Sequence, residues 1–425
     1  MRRRSTLPAL LCALLGSTPA SADLFGRFQH GGRATGQAGA FVARAGDPAA
    51  VTYNPAAIVR LQGFELQAGL DFDAPTDDYA SPSGRASAEH TIQFPPAVYA
   101  AWHPRDARWA VGLGLDAPTW RLMDWEAALF PARFTARRSE ATLFALHPVV
   151  AWAIDERWSV GGGVRYVRGT VGYGDTLRAF EQGAGGPVAF EVDRLSEASA
   201  DGVGFDLATR FAADRWGFGA TWSSRVEVAG SGDVSYLVRD LQTLPPEIQA
   251  AATARFGEQP SRLSEELPDT FTAGAWVALT PSVTAELDAA LARWSAVAPA
   301  SAQPGGAFAL DRRAGWDDTL SFRLGVEWAL GASGWRLGGG CALEPSPAVD
   351  EAVEPGAPRG DARVLALGAS YDVKPGLSFD LGYSYHDYGR RRATGQESDL
   401  DTVATYAARA QVFAVSARWR FAAGG

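Results

Sequence analysis

The sequence has no long hydrophobic run after its first two dozen residues. A helix that crosses a bilayer needs about 20 mostly apolar residues, so the remaining chain contains no candidate transmembrane helix. Methionine is also scarce, with 2 residues, whereas glycine (47 residues) and aromatic residues (11%) are plentiful. The mean hydropathy of −0.09 is near neutral. This balance is typical of strands that alternate between polar and apolar residues, in a secreted protein or in a membrane barrel.

Cysteine is nearly absent, with 2 residues, Cys12 and Cys341. Cys12 lies within an N-terminal apolar stretch, Leu7 to Leu15, which follows Arg2, Arg3 and Arg4 and precedes Ala20-Ser21-Ala22. These features are typical of a secretory signal peptide, which we predict over residues 1–22. Cys341 is then the sole cysteine of the mature chain and cannot form an internal disulfide. We expect it to be a small apolar residue on a strand.

Acidic residues (48) outnumber lysine and arginine (39) in the chain. The formal net charge of the whole chain is −9, and removal of the three N-terminal arginines makes it −12. A nucleic-acid partner is therefore not expected.

Alternation of period two is the dominant pattern in the chain. From Thr319 to Leu330, residues of one parity are apolar, as at Phe322 and Trp328, and those of the other are polar or small, as at Arg323 and Glu327. Such a strand is amphipathic. A soluble sheet would bury the apolar parity in a core, and a membrane barrel would turn it towards lipid.

About fourteen comparable segments follow one another. We predict strands near residues 63–72, 91–102, 108–117, 139–152, 157–170, 201–212, 215–228, 269–279, 282–294, 318–330, 334–343, 362–372, 376–388 and 404–421. The connections alternate strictly between tight turns and long links, and the long links include residues 118–138, 171–200 and 229–268. Outer-membrane barrels have short periplasmic turns and longer external loops. The sequence therefore predicts an all-β transmembrane antiparallel barrel of about 14 strands over residues 63–425, with Phe322 and Trp328 towards lipid.

The segment between the signal peptide and the first strand is different. Residues 23–62, which we call the hatch, are rich in glycine and alanine and have no period of two. Small residues allow the backbone to approach a wall closely. We therefore expect the hatch to be a compact plug inside the barrel lumen.

Several motifs resemble the FadL/TodX family of outer-membrane transporters of long-chain fatty acids and other hydrophobic compounds. They are the glycine-rich stretch from Gly31 to Ala40, Asp47-Pro48-Ala49-Ala50 followed by Asn54-Pro55-Ala56, then Pro95-Pro96-Ala97-Val98-Tyr99, Phe130-Pro131-Ala132-Arg133-Phe134 and Leu267-Pro268-Asp269-Thr270-Phe271. The resemblance covers essentially all of the mature chain. It implies a fourteen-stranded barrel plugged by the hatch, with a hydrophobic route that leaves through a lateral opening in the wall.

In that family an inward kink of the third strand makes the opening. The third predicted strand here carries Gly112 and Gly114. Glycine inside a strand permits a bend or a bulge. The alternative is that both glycines only allow close packing beside the hatch.

Two external links are unusually apolar, and together they are candidates for a substrate groove. Their apolar residues are Trp120, Leu122, Met123, Trp125, Leu129 and Phe130 in the second link and Leu237, Leu241, Leu244, Ile248 and Phe256 in the fourth. Contiguous exposed apolar surface usually marks a binding site. The same residue types would also pack a lid whose loops contact only each other.

A carboxylate cargo would need a cationic partner, and arginines of lumen parity are the candidates. They are Arg165, Arg210, Arg225 and Arg323. Each could instead form an ion pair with an inward acid such as Asp206, Glu286, Asp288, Glu327 or Asp380. Asn54, Pro55 and Ala56 are expected to shape or gate the path through the hatch, or only to form a rigid turn.

No catalytic motif, metal-ligand spacing or cofactor signature occurs. The five histidines, His30, His90, His103, His147 and His386, are scattered along the chain. We therefore predict a non-enzymatic, monomeric outer-membrane protein in contact with membrane lipid. Its predicted function is the passive uptake of a fatty acid, alkane or aromatic compound. A general diffusion porin, an outer-membrane lipid-modifying enzyme and a structural barrel are the alternatives.

Overall fold

The structure is a computed structural model, and it describes residues 30–89, 92–125, 130–298, 301–304, 310–311, 316–394 and 403–421. The predicted signal peptide and the start of the hatch lie outside these residues. The strands are β1 Gly63–Ser81, β2 Gly84–Ser87, β3 Pro96–His103, β4 Trp109–Asp124, β5 Arg138–Ala153, β6 Trp158–Gly183, β7 Gly186–Ala212, β8 Trp216–Ser223, β9 Val226–Val238, β10 Gln259–Leu267, β11 Thr270–Ala278, β12 Val283–Ala292, β13 Ser301–Pro304, β14 Leu310–Asp311, β15 Thr319–Ala329, β16 Trp335–Glu344, β17 Ala362–Lys374, β18 Leu377–Thr394 and β19 Val403–Phe421.

Within this part of the chain the strands form a closed antiparallel barrel of 14 wall strands. The pair β8 and β9 serves as one wall strand between β7 and the pair β10 and β11. The first and last strands close the barrel, with a register that runs from Phe64 opposite Phe421 to Ala80 opposite Thr405. The predicted fold class is confirmed.

The apolar parity faces outward, as predicted for a membrane barrel. On β15, Phe322 and Trp328 are 45% and 50% exposed. Arg323 and Glu327, of the opposite parity, are engaged by Glu344 and by the hatch arginines on the inside. A row of exposed leucine, valine, tryptophan and phenylalanine continues around the barrel. An apolar band of this kind is the surface that lipid covers.

The tight turns predicted between wall strands lie at one end of the barrel. The turn after β17, for example, needs Gly376 at a φ of 83°, a backbone conformation that favours glycine. At the other end, one predicted link is wrong. Residues 171–200 are not an irregular loop, because β6 and β7 pair from Trp158 opposite Phe211 to Gly183 opposite Gly186. They form a long hairpin beyond the wall.

The fourth external link also contains regular structure. β9 continues to Val238, helix α3 covers Pro246–Arg255, and β10 returns to the wall. The two prolines before Glu247 begin the helix, as their sequence indicates, because proline suits the first helical turn. No helix among the described residues is long and apolar enough to span a membrane.

The described hatch, residues 30–62, lies inside the barrel. It contains the short helices α1 Gly32–Thr35 and α2 Ala50–Tyr53 and a 3-10 helix over Pro55–Arg60. Its alanines and its apolar side chains, such as Phe41 and Ile58, are buried against the wall residues Tyr99 and Val149. This is the core of the molecule at the level of the membrane. Cys341 is half-buried on β16.

Candidate functional site

Two hatch arginines hold the hatch to the β12 and β15 side of the barrel. Arg33 donates from Nε and Nη2 to the two carboxylate oxygens of Glu327, at 2.7 and 2.9 Å. Arg44 reaches the same carboxylate from Nη1 at 3.3 Å, and its Nε lies 3.5 Å from Glu286. Bidentate arginine–carboxylate pairs are strong and specify orientation. The hatch is therefore fixed in register by charge as well as by packing.

Burial inside the barrel tends to lower the pKa of Arg33. The ion pair with Glu327 outweighs this effect, so that the pKa of Arg33 lies above its usual value. The arginine stays charged in the lumen because its partner is at hand.

Acidic side chains of β12 also hold the hatch backbone. The Oδ2 atom of Asp288 accepts the amides of Phe41 and Val42 at 2.9 and 3.1 Å. Glu286 accepts the amide of Ala43 at 2.6 Å. These carboxylates satisfy backbone groups that have no strand partner inside the lumen.

Glycines on the inner face of the wall let the hatch backbone come close. A Cβ added at Gly340 would lie 2.4 Å from the carbonyl carbon of Gln37. One added at Gly161 would lie 2.7 Å from the amide nitrogen of Ala56. The small-residue packing expected from the sequence is present on both partners.

Asn54, Pro55 and Ala56 form the turn that ends α2 and begins the 3-10 helix. The Asn54 Oδ1 atom accepts the Ala56 amide at 3.1 Å, and its Nδ2 donates to the carbonyls of Val42 and Thr209 at 2.9 and 3.2 Å. The carbonyl of Ala56 accepts the Ser159 hydroxyl at 2.7 Å. Asn54 is fully buried. This turn thus joins two parts of the hatch to the wall, so a movement of one would disturb the other.

A cavity of about 180 Å³ lies between the hatch and the wall. Hatch residues such as Val42, Thr52 and Tyr53 form one side of it. Its wall side includes Asp116, Pro118, His147, Arg165, Asp206, Trp294, Arg323 and Glu344. We call it the lumen cavity. It combines apolar and charged surface.

Two carboxylates organise the polar side of the lumen cavity. Asp206 lies 3.1 Å from His147 Nε2 and 2.9 Å from Arg165 Nε, and accepts the hydroxyl of Ser223. Asp116 accepts the hydroxyls of Thr52 and Tyr99 at 2.5 and 3.0 Å. Both acids are buried, and such groups persist in a lumen when they are paired.

His30 enters the lumen cavity from the hatch. Its Nε2 atom lies 4.0 Å from Asp116, and burial lowers its pKa although the nearby carboxylate opposes that effect. A neutral imidazole is favoured there.

The four candidate arginines fall into two groups. Arg165 and Arg323 line the lumen cavity, where Arg323 pairs with Glu344 at 3.0 Å. Arg210 instead donates to the carbonyl of Ala43 at 3.1 Å beneath the hatch. Arg225 is exposed and binds the carbonyl of Ala296 at 2.6 Å. Arg165 and Arg323 therefore face the lumen cavity, whereas Arg210 and Arg225 do not line it.

Gly112 and Gly114 lie in a regularly paired part of β4. Gly112 pairs with Ala101 and Val149, and Gly114 with Tyr99 and His147. Cβ atoms added there would meet Val51 of the hatch at 2.7 and 3.0 Å. The two positions thus match the packing alternative.

The wall is interrupted just beyond these glycines. Pairing between β3 and β4 ends at Val98 opposite Leu115. The pairing of β4 with β5 shifts register between Asp116 and Thr119, so that β4 carries one extra residue. Pro118, inside this bulge, also lines the lumen cavity. The irregularity of the third wall strand therefore begins at Asp116, and not at the two glycines.

The candidate groove residues of the second link are packed in a cluster at the outer end of the barrel. Trp125 stacks on Phe130 with ring centroids 4.9 Å apart, and both contact Tyr79. The indole of Trp125 donates to the carbonyl of Pro355 at 2.9 Å. Met123 is buried with them, and Trp120 and Leu122 line a small cavity beside the cluster. Leu129 lies outside the described residues.

The candidate residues of the fourth link form a separate cluster on the β6–β7 hairpin. Ile248 and Phe256 are buried against Phe190 and Val192, and Leu241 and Leu244 pack around them. Leu237 is 67% exposed. The structure does not join the two sets in one open groove, because each set fills its own packed cluster.

Residues of the lumen cavity were largely missed by the sequence reasoning. His30 and His147, 117 positions apart in the numbering, meet in one cavity although neither stands in a motif. The one feature of the sequence that could have indicated a lumen position for His147 is its place, beside Pro148, on the lumen-facing parity of its strand. Among the described residues, no group of histidine, cysteine, aspartate and glutamate has the geometry of a metal site.

A family model described as outer membrane protein transport protein (OMPP1/FadL/TodX) matches residues 13–421. The chain belongs to this family. No curated protein matches it. The FadL/TodX family comprises transport proteins of the outer membrane, so this member is a β-barrel transport protein of that membrane and not an enzyme.

Solved structures of FadL/TodX proteins share its fold. A Pseudomonas aeruginosa FadL homologue superposes with a TM-score of 0.80 at 16% sequence identity. The alignment covers 95% of this chain and 100% of the homologue. The P. putida toluene transporter TodX has a TM-score of 0.72 at 15% identity, with 95% and 100% coverage. The Ralstonia pickettii toluene transporter TbuX has a TM-score of 0.66 at 17% identity, with 92% and 99% coverage.

Proposed function

We propose that this family member takes up hydrophobic small molecules across the outer membrane without an energy source. The cargo is a long-chain fatty acid, an alkane or an aromatic compound, and the protein works as a monomer. The toluene transporters among the solved structures support an apolar cargo by their fold. The observation that carries the proposal is the position of the lumen cavity, which meets the wall at the β4 interruption through Asp116 and Pro118.

The proposed route begins at the external clusters. Because the groove residues Trp125, Phe130, Ile248 and Phe256 are packed there, capture requires the clusters to separate. Burial of each methylene of a fatty chain contributes about 0.8 kcal/mol, which is sufficient for weak capture without polar contacts.

The cargo then enters the lumen cavity above the hatch. If it carries a carboxylate, Arg165 and Arg323 are the proposed partners, because they already line this space. A carboxylate there would share them with Asp206 and Glu344. A neutral aromatic compound would use Tyr53 and Trp294 on the same surface.

Exit is proposed to be sideways through the interrupted wall, after a rearrangement at Asn54, Pro55 and Ala56. The lumen below the cavity is filled by the hatch, whose residues around this turn are buried. Among the described residues, pairing of β3 with β4 stops at Val98 and Leu115, and the next bridge on this side of β4 joins Glu89 to Asp124, so few ladder hydrogen bonds hold this seam.

The test removes the bulge. Deletion of Ala117 would bring residues 119–124 into the β4–β5 register that precedes Asp116, and so remove the bulge that sets β4 apart from a regular wall strand beside the exit. We expect uptake of labelled oleate and toluene by cells that lack other transporters to fall at least tenfold. Deletion of Gly389 is the matched control, because it removes the similar bulge between Asp387 and Arg390 on β18. Its uptake should be unchanged.

Folding of both variants is checked by the heat-dependent shift in electrophoretic mobility. Equal uptake by the Ala117 deletion and the native protein would contradict lateral exit. Large, stable ion conductance of the native protein in planar bilayers would instead favour a general porin.

A further inference from the structure

The outward face of β17, β18 and β19 changes from apolar to basic at one level. Paired residues of adjacent strands share a face, so the ladder register defines rows around the wall. One row contains Leu367, Tyr383 and Phe413, and all three point outward. Four residues further out along β17, towards the external end, the row contains Arg363, Asp387 and Arg409.

A second group of arginines lies directly beyond this row. After the bulge on β18, Arg390 and Arg392 lie opposite Ala407 and Thr405, and both are exposed. Thr405 is paired with Ala80 of β1, which is paired with Arg85 of β2. We call Arg85, Arg363, Arg390, Arg392 and Arg409 the outer arginine strip. It stands above the apolar band on the same strands.

Within the described residues, none of these five guanidinium groups forms an ion pair within 4.0 Å. Two acids of this face have local partners, since Asp387 accepts the Gly389 amide at 3.1 Å and Asp78 accepts the Ser87 hydroxyl at 2.6 Å. A third, Asp361, lies near Arg363 at the edge of the strip. The opposite wall is different. There Arg168 lies directly opposite Asp201, and Glu227 is also exposed. The positive strip is therefore a local feature and not a general property of the barrel rim.

A cleft opens in the strip. It has a volume of about 710 Å³ and is lined by Arg85, Arg390, Asp78, Ser87 and Thr405. Arg390 and Arg363 also border a neighbouring cleft of about 480 Å³, which is rich in acids and therefore unsuited to a phosphate: Asp317, Asp318, Asp350, Asp361 and Asp387 line it. A ligand in the cleft of about 710 Å³ would contact guanidinium groups from β18 and the β2 hairpin, Arg390 and Arg85.

We propose that the outer arginine strip binds the phosphate-bearing headgroup of an outer-leaflet lipid. Guanidinium groups match phosphate oxygens in bidentate geometry. The acyl chains of such a lipid would lie along Leu367, Tyr383 and Phe413, immediately below the strip. A free phosphate ion would use the arginines but not this apolar surface. The position of the strip therefore favours a lipid source for the phosphate.

The test measures lipid A binding to the full-length protein in detergent by native mass spectrometry. Arg390→Gln with Arg409→Gln should weaken binding about 30-fold, which corresponds to ~2 kcal/mol at ~1.4 kcal/mol per tenfold change. Arg168→Gln with Arg262→Gln is the matched control. It removes two exposed arginines from the opposite wall and should change binding less than about twofold.

Two further probes separate the sources of phosphate. Lipid A without its phosphates should bind weakly to native protein and both variants, and excess inorganic phosphate should displace intact lipid A only slightly. Displacement by inorganic phosphate alone, or an equal loss in the control variant, would overturn the proposal. The single variant Arg409→Gln provides the same comparison, with about a fivefold expected loss, if the double variant does not fold.

Discussion

Gly340 lies on the inner face of β16, directly against the backbone of Gln37. Gly339, the next residue, faces outward, and the nearest atoms to a Cβ there would be 3.9 Å away. Two neighbouring glycines on one strand thus differ only in the side of the wall that they face. The inner one is required by the hatch, and the outer one is not.

We expect Gly340→Val to displace the hatch, because the side chain would overlap the Gln37 carbonyl. The substitution should destabilise the folded protein by about 1 to 3 kcal/mol, the usual cost of overpacking. Faster hydrogen exchange in hatch peptides and new ion conductance in planar bilayers are the measurements. Gly339→Val should leave both unchanged, and equal behaviour of the two variants would contradict the tight seating of the hatch.

The role of a single residue could be predicted from the sequence where that residue belongs to a local motif. The Asn54-Pro55 turn was recognisable because asparagine and proline favour turns, whatever surrounds them. The role of His147 was not, since its partner Asp206, which Arg165 also contacts, lies on another strand. Only the register of the closed barrel brings these three side chains together.

Among the elements, the β6–β7 hairpin differs most from the sequence prediction. The sequence predicts a link there, because polar residues occur on both faces of residues 171–200 and hide the period of two. In the structure, polar side chains of the two strands form ion pairs across the hairpin, such as Arg194 with Asp175 at 2.6 Å. Helix α3 then covers one apolar side of the hairpin through Ile248. A strand outside the membrane needs no continuous apolar face.

We expect Ile248→Ala to loosen α3 from the hairpin. Ile248 is 1% exposed, and loss of a large buried side chain costs about 2 to 5 kcal/mol. Limited trypsin digestion should then cut after Arg239 or Arg255 more readily. Leu237→Ala, at a 67% exposed position, should digest like the native protein. If both variants resist digestion equally, the external cluster does not depend on this contact.

For the whole molecule, the strand pattern and the alternation of connections were sufficient to predict a closed barrel of about fourteen strands. Each wall strand repeats the same amphipathic period, and every wall turn carries its own glycine, proline or aspartate signal. The outer ends of the strands were predicted less well, because packing of the external clusters extends them. For the same reason, the apolar residues of the second and fourth links lie in two separate clusters and not in one continuous surface.

The membrane position can be tested with arginine on two equally exposed leucines. Leu367 lies near the middle of β17 and is 69% exposed, and Leu237 lies on the external part of β9 and is 67% exposed. Leu367→Arg should lower the free energy of unfolding in lipid vesicles by about 2 to 4 kcal/mol. Leu237→Arg should change it by less than about 0.5 kcal/mol. Similar values for both would indicate that β17 does not face lipid.

The hatch contacts strands from the far end of the chain. The Gly32 amide donates to the Ser416 hydroxyl at 3.2 Å, and Arg418 donates to the carbonyl of Gly46 at 3.3 Å. These residues are 384 and 372 positions apart. The hatch precedes every wall strand in the chain, and these native contacts cannot form until the last strand is present. Seating of the hatch thus reports that the entire barrel has been assembled, since contacts over such separations form late in folding.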